Sequence, residues 1–421
     1  MNRKGMLFMD FSRSTTLLKK ARKIIPGGLF GHFKFPALIQ EGSFPVFVKY
    51  GEGCYFYDAD DHKYIDYING FGANLLGYNF NFIERFVADN RTKGDCFGLP
   101  KEIYVTLVEE IVNTFDSIEW AALAKNGADV TSLAVVAARA YTGKRKMVGI
   151  KGGFHGSHIN WGWCIPGPGR FPEDYDCTLL GDWNDAQQME QIFKEHGKEI
   201  ACIIITPILQ QVYGDSIFPD PAFLSTIRRL CDQYDAVFIV DDVRTGLHLD
   251  MRGSDRYFDF KADMLCMSKA LGNTYSMACL GGREKFYQAA ERIFFSGTFW
   301  GLEQPILASL ATLKFAKEHN VIEHLMSMGT MLTEGIEKLA DTFSIPVKVS
   351  GPKSMPYLRF LDDAPGTCDR AFDFAAQSSK NGVFIHPFHN WCLTYSHTKD
   401  DIENTLTSME DAFRHVKNTY Y

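Results

Sequence analysis

Residues 236–273 read AVFIVDDVRTGLHLDMRGSDRYFDFKADMLCMSKALGN. The stretch opens on Ala236–Val240, a short apolar run rich in β-branched side chains, the composition of a strand buried on both faces of a parallel sheet. Asp241 and Asp242 stand at its carboxyl end. In open α/β sheets that end is where ligands sit. A second apolar piece, Met264–Met267, delivers Ser268 and Lys269 just ahead of Ala270-Leu271-Gly272-Asn273. Two strands of one sheet would thus bring an acid and an amine, 28 residues apart in the chain, to the same edge.

An acid and an amine so placed match what pyridoxal phosphate requires. It needs an amine to hold it as a Schiff base and a carboxylate to keep its ring nitrogen protonated. Taken singly, Asp241 is also what an ordinary strand-end turn carries, and Lys269 what a protein surface carries. The order of further motifs along the chain decides. Asp241-Asp242-Val243-Arg244-Thr245-Gly246 and the later Ser268-Lys269 resemble the D-[DE]-V-x-T-G and S-K segments of the class III aminotransferases, within the fold-type-I pyridoxal phosphate enzymes. The glutamate-1-semialdehyde aminomutase branch is the nearest resemblance. It implies that Lys269 carries the internal aldimine, that Asp241 pairs with the pyridinium nitrogen, and that Val243 belongs to the same cofactor site.

Upstream, a predicted strand at Trp120–Leu123 runs into Lys125-Asn126-Gly127-Ala128-Asp129, followed by a helix over Val130–Tyr141. A small-residue turn opening a helix leaves backbone N–H groups aimed at whatever lies above it, which suits a phosphate. The family has S-G-T here, and the similarity from Asn126 to Lys144 runs without gaps. It implies that Asn126, Gly127 and Ala128 bind phosphate through backbone donors, without the hydroxyls of the Ser and Thr. A predicted strand at Met147–Ile150 leads to Gly152-Gly153-Phe154-His155-Gly156, similar to the family's G-x-[YF]-H-G. Phe154 would then lie on the cofactor ring, with His155 beside it. His155 and His158 are three apart, but Gly156 lies between them and no acid or thiol stands at a ligand spacing, so no metal is expected. Residues 161–174 occupy the position of the aminomutase gating loop and are shorter.

Other segments depart from the family. The Ile25-Pro26-Gly27-Gly28 entry is similar to the aminomutase branch, yet Lys34 stands where an Arg grips the substrate carboxylate; Lys lacks the planar fork. Thr206 precedes Pro207 where a Glu is usual. Arg244, three residues beyond Asp241, offers another anion-binding group, or else a salt bridge to Asp242 or Asp250. Phe294–Thr298 resembles Q-x-G-T, whose Thr reaches the phosphate of the neighbouring subunit's cofactor; for Thr298 this implies a homodimer with shared sites. Asp58-Ala59-Asp60-Asp61 lacks the glycine and closing Glu of a calcium loop and reads as a hairpin turn. His386 and His389 flank Pro387, which suits an extended loop near the site rather than a metal pair.

Composition bounds the alternatives. The chain has 421 residues, length enough for two or three domains, and 46% hydrophobic residues. A net charge of −7 without basic clusters argues against nucleic acid as partner. No apolar stretch approaches a membrane span. The ten cysteines are scattered, as expected of reduced, buried thiols in a cytoplasmic protein.

The expected fold is α/β: a large domain (66–313) with a mainly parallel sheet of the seven-stranded type, and a small α+β domain built from 1–65 and 314–421. The resemblance implies an aminotransferase acting on a small-molecule amino donor and a carbonyl-bearing acceptor, such as a sugar or natural-product intermediate. An intramolecular aminomutase of the glutamate-1-semialdehyde type and a pyridoxal phosphate-binding protein without turnover are the alternatives. Donor, acceptor and regiochemistry are not written in the sequence.

Overall fold

The computed structural model describes residues 10–31, 34, 44–157, 169–211 and 213–421. At its centre is a seven-stranded sheet in the order Trp120–Ala124, Ala278–Gly282, Met264–Met267, Val237–Asp241, Ile200–Ile205, Lys146–Ile150 and Thr178–Gly181. Ala278–Gly282 runs antiparallel to both its neighbours, and the other six strands run one way. Every residue of Val237–Asp241, Ile200–Ile205 and Met264–Met267 is buried. Strands covered on both faces need apolar side chains at every position, which is why they appear as continuous runs rather than alternations. The register sets Asp241 opposite Cys266, so Lys269 emerges three residues beyond it at the same edge.

The Gly127–Thr142 helix covers the sheet with Val130, Ala134, Ala137 and Ala138, small residues that let helix and strands approach closely. Pro221–Tyr234 feeds the central strand. Asp220 caps its first turn by accepting the Ala222 amide at 2.9 Å, and Pro221 at the first position forgoes an amide that would lack a partner.

A second sheet joins distant parts of the chain. Val48–Glu52, Tyr55–Asp58 and Lys63–Asp66 form an antiparallel meander, and Val383–Phe384 adds in parallel to Lys63–Asp66. In the meander's turn, the Asp58 carboxylate accepts the amides of Asp60 and His62 at 2.9 and 2.8 Å. Three long helices, Glu303–Glu318, Val321–Phe343 and Lys399–Tyr420, complete the C-terminal part. Thr398 opens the last of them with the expected capping box, its Oγ1 accepting the Asp401 amide.

Boundaries shift from the sequence reading for identifiable reasons. The first helix spans Ser12–Ile24, starting two residues before the polar Ser14 that the sequence suggests, and Ile25 is already extended because the residue before a proline is driven out of the helical region. The helix expected from Val130 begins at Gly127, since the small-residue turn is itself its first turn. A two-residue hairpin, Leu209–Gln210 with Ser216–Ile217, is too short to leave a pattern. No described helix is long and apolar enough to cross a membrane.

Candidate active site

The carboxyl ends of five of the six co-directed strands converge on one edge of the sheet. Trp120–Ala124 ends at the Asn126–Ala128 turn, Lys146–Ile150 at Phe154 and His155, Ile200–Ile205 at Thr206, Val237–Asp241 at Asp241, and Met264–Met267 at Lys269.

Asp241 is buried, and its two oxygens are aimed by different elements. Oδ2 meets the His155 Nδ1 at 2.8 Å, and Oδ1 accepts the Val243 amide at 3.2 Å. His155 is held in turn by Thr131, whose hydroxyl donates to the His155 carbonyl at 2.7 Å. Its Nε2 is buried without a hydrogen-bond partner among the described residues. Val243 lies against Gly127: a Cβ on Gly127 would sit 2.9 Å from the Val243 Cγ1, so only glycine lets the helix start come this close to the Asp241 loop.

At the start of that helix, Asp129 folds back to accept the Asn126 amide at 2.8 Å. The amides of Gly127 and Ala128 find no acceptor among the described residues. Two unspent donors at the positive end of a 16-residue helix form an anion cradle. Phe154, at the end of the next strand, stays 49% exposed at the rim of the site.

Lys269 combines depth with access. Its backbone lies at φ +47°, in the left-handed region a lysine seldom adopts. Asn273 fixes the turn behind it, accepting the Leu76 amide at 2.6 Å and donating to the Gly77 carbonyl at 3.1 Å. Desolvation by burial, reinforced by the positive charge of Arg244, pulls its pKa from 10.5 to about 8. A substantial neutral fraction near physiological pH makes Lys269 a nucleophile and a base.

Arg244 is partly accessible, yet desolvation lowers its pKa also. It donates to the Asn390 Oδ1 at 3.1 Å and to the Ile208 carbonyl at 2.8 Å. Neither suggested acid pairs with it. Asp242 is buried, accepts the Ser254 amide and the Thr245 hydroxyl, and has its pKa raised to about 6 by desolvation. Asp250 pairs with Arg252. His248, neutral because burial lowers its pKa to about 4, bonds the Gly72 carbonyl and holds the short helical turn Asn69–Gly72 beside the Arg244 backbone.

Four further residues singled out by the sequence are Thr298, Lys34, His386 and His389. Thr298 is exposed, its carbonyl 3.7 Å from the Cys96 thiol, and the neighbouring Phe299 ring lies 5.5 Å from the Lys125 ammonium. Lys34 is exposed, with its ammonium 5.6 Å from the Phe30 ring centre. His386 and His389 pack edge-on against Phe71, their ring centres 5.5 Å apart. His158 and residues 161–168 of the suspected gating loop lie outside the described residues. Sequence reasoning missed Asn390, Ile208, His248 and Asn273. Asn273 alone carried a local signal, as the residue closing the Lys269 turn.

The set fits pyridoxal phosphate group by group. The unspent amides suit a phosphate, the anchored carboxylate a ring nitrogen, the half-exposed Phe154 a ring face, and the deep lysine an aldehyde. Comparison with known proteins agrees. Over 406 residues the chain is 35% identical to the aminopentol aminotransferase of Sphingopyxis macrogoltabida, covering 96% of this chain and 94% of that one. It is 30% identical over 413 residues to the 3-aminobutyryl-CoA aminotransferase of Cloacimonas acidaminovorans, covering 97% and 98%. The internal aldimine structure of the FumI protein of Sphingopyxis sp. MTA144 superposes with a TM-score of 0.93 at 34% identity, covering 97% of each chain. The class-III aminotransferase pattern matches residues 38–162 and 168–413. With that match spanning both the Asp241 loop and the Lys269 turn, the chain belongs to the class-III aminotransferases, pyridoxal phosphate enzymes of fold type I.

Proposed function

We propose that this enzyme moves an amino group between a small-molecule donor and the carbonyl of a natural-product-like metabolite, working as a homodimer with shared sites. The observation that carries the reading is the pairing of a deep, accessible Lys269 with an Asp241 pre-aimed by His155 at the same sheet edge.

When bound, pyridoxal phosphate supplies an aldehyde that condenses with amines and a ring that draws electrons from the adjacent carbon. The chain's own residues do the rest. The Gly127 and Ala128 amides, with Asn126 at the turn, hold the phosphate. Phe154 would cover the ring face, and Val243, packed against Gly127, would line the same site. Asp241, kept in place by His155, holds the proton on the ring nitrogen. Lys269, as the neutral amine, carries the proton to and from the carbon bearing nitrogen. The named relatives support a carbonyl substrate of the natural-product type over glutamate 1-semialdehyde. So does Lys34, which lacks the bidentate fork for gripping a carboxylate.

The dimer reading draws on the surface beside Thr298. Phe294 is 95%, Leu99 79% and Phe97 58% exposed. Phe97 and Leu99 stand on a segment tied at both ends to Glu303, which accepts the Thr92 amide at 2.9 Å and the Lys101 ammonium at 2.8 Å. Apolar groups held outward by an ordered loop mark a surface that another chain covers.

Borohydride reduction of the holoenzyme followed by peptide mapping tests the site. The expected result is a single modified lysine, Lys269, and none in Lys269→Ala; label on any other lysine refutes the assignment. Turnover of glutamate 1-semialdehyde as fast as of other carbonyl substrates would instead favour the aminomutase.

A further inference from the structure

We infer that Thr131 is a positioning residue: its one hydroxyl sets the spacing between the phosphate cradle and the Asp241 anchor, so that both ends of the site grip a single cofactor together. The inference rests on the cofactor roles proposed above and adds the group that joins them.

Thr131 lies one turn into the Gly127–Thr142 helix and is fully buried. Three carbonyl oxygens converge on its hydroxyl: that of His155 at 2.7 Å, Gly127 at 3.1 Å and Ala128 at 3.2 Å. A hydroxyl has one hydrogen to give. The shortest contact takes it, because the Gly127 and Ala128 carbonyls already accept amides four residues on, inside the helix. No other donor among the described residues reaches the His155 carbonyl.

The groups that meet at this hydroxyl belong to the two anchors. Gly127 and Ala128 offer the unspent amides of the cradle. His155 meets the Asp241 Oδ2 through its Nδ1 at 2.8 Å. Val243 closes the triangle by packing on Gly127, where a Cβ would come within 2.9 Å of its Cγ1. Three segments far apart in the chain thus fix one distance, from helix start to carboxylate, without help from a ligand. Of the links, the Thr131 hydrogen bond is the one that acts on the histidine backbone. Without its hydrogen the three carbonyl oxygens face one another, and that of His155 is left buried and unpaired. His155 then turns in search of a donor, and Asp241 shifts with it. A ligand that engages both ends feels the altered spacing, whereas a ligand held at one end follows the shift.

The test is binding to the apoprotein, read by equilibrium dialysis rather than by turnover. Pyridoxal 5′-phosphate engages both ends, and pyridoxal, which lacks the phosphate, engages only the ring end. Thr131→Val, equal in volume, is expected to weaken pyridoxal 5′-phosphate about 10-fold and pyridoxal no more than about 2-fold. Thr131→Ser, which restores the hydroxyl, should bind both as the wild type does. His155→Phe should weaken pyridoxal 5′-phosphate about 10-fold in the wild-type background. In the Thr131→Val background it should add less than about 2-fold, because the link is already broken. If Thr131→Val does not fold, Thr131→Cys, a weaker donor of similar size, should lose about 3-fold for pyridoxal 5′-phosphate alone. Equal losses for the two ligands, losses that multiply with those of His155→Phe, or failure of Thr131→Ser to recover overturn the inference and leave Thr131 a packing residue. Wild-type apoprotein that holds pyridoxal 5′-phosphate no more tightly than pyridoxal would instead refute the cofactor roles beneath it.

Discussion

Lys269 shows how one residue's chemistry is set by where the chain puts it. In a solvated chain its amine would stay protonated to about pH 10.5; in the site the proton leaves near 8. Between those values the unfolded chain binds a proton that the folded one does not, so Lys269's contribution to stability rises with pH across that window. Below pH 8 the folded apoprotein bears the full cost of a desolvated ammonium, about 3 kcal/mol for a pKa drawn from 10.5 to about 8. Lys269→Met apoprotein should therefore be more stable than wild type at pH 7, with the advantage shrinking toward pH 10.5. Denaturant titrations of both apoproteins across that range check it. A constant difference would show that Lys269 titrates as a solvated amine.

At the level of elements, glycines mark where backbones meet. Gly329 lies within the Val321–Phe343 helix, and a Cβ there would fall 1.7 Å from the Lys353 carbonyl oxygen. Helix propensity alone favours alanine over glycine by about 1 kcal/mol. The obstacle is backbone, held by a hydrogen bond from the Lys353 ammonium to Thr333 at 2.6 Å on the same helix. Gly329→Ala should thus reverse the propensity effect and destabilise the protein by about 2 kcal/mol. Chemical denaturation would show it as a lowered midpoint with an unchanged slope. An unchanged or raised midpoint would mean that the 352–354 loop yields freely.

Across the whole molecule, the exposed Phe294, Leu99 and Phe97 mark the surface near Thr298 that the proposed dimer would cover. If Thr298 serves the neighbouring subunit's phosphate, subunits carrying Lys269→Ala and Thr298→Ala complement each other. The mixed dimer has one site lacking both groups and one site with both intact. Mixtures refolded together should recover up to about a quarter of wild-type activity, from half of the dimers and half of their sites. Mixtures no more active than the better parent would confine Thr298 to its own subunit.

The motifs around Asp241 and Lys269 were legible because each is local: an apolar run, a polar group at its end, and a turn whose residues follow at once. The sheet itself was legible for the same reason, since strands buried on both faces must be apolar throughout. Asn126, Gly127, Ala128, Phe154 and His155 were singled out through the family resemblance, and all of them lie just beyond strand ends. What needed the fold were partnerships across long separations. Arg244 meets Asn390, 146 residues on, and neutral acceptors rather than the nearby acids became its partners. Asp241 is aimed by a histidine 86 residues earlier. Such pairs leave no spacing in the chain, because their geometry depends on how strands and loops pack. The sequence by itself therefore determined which groups reach the sheet's edge, and the tertiary structure alone decided how they are aimed, how far they are desolvated, and which charge stays unneutralised.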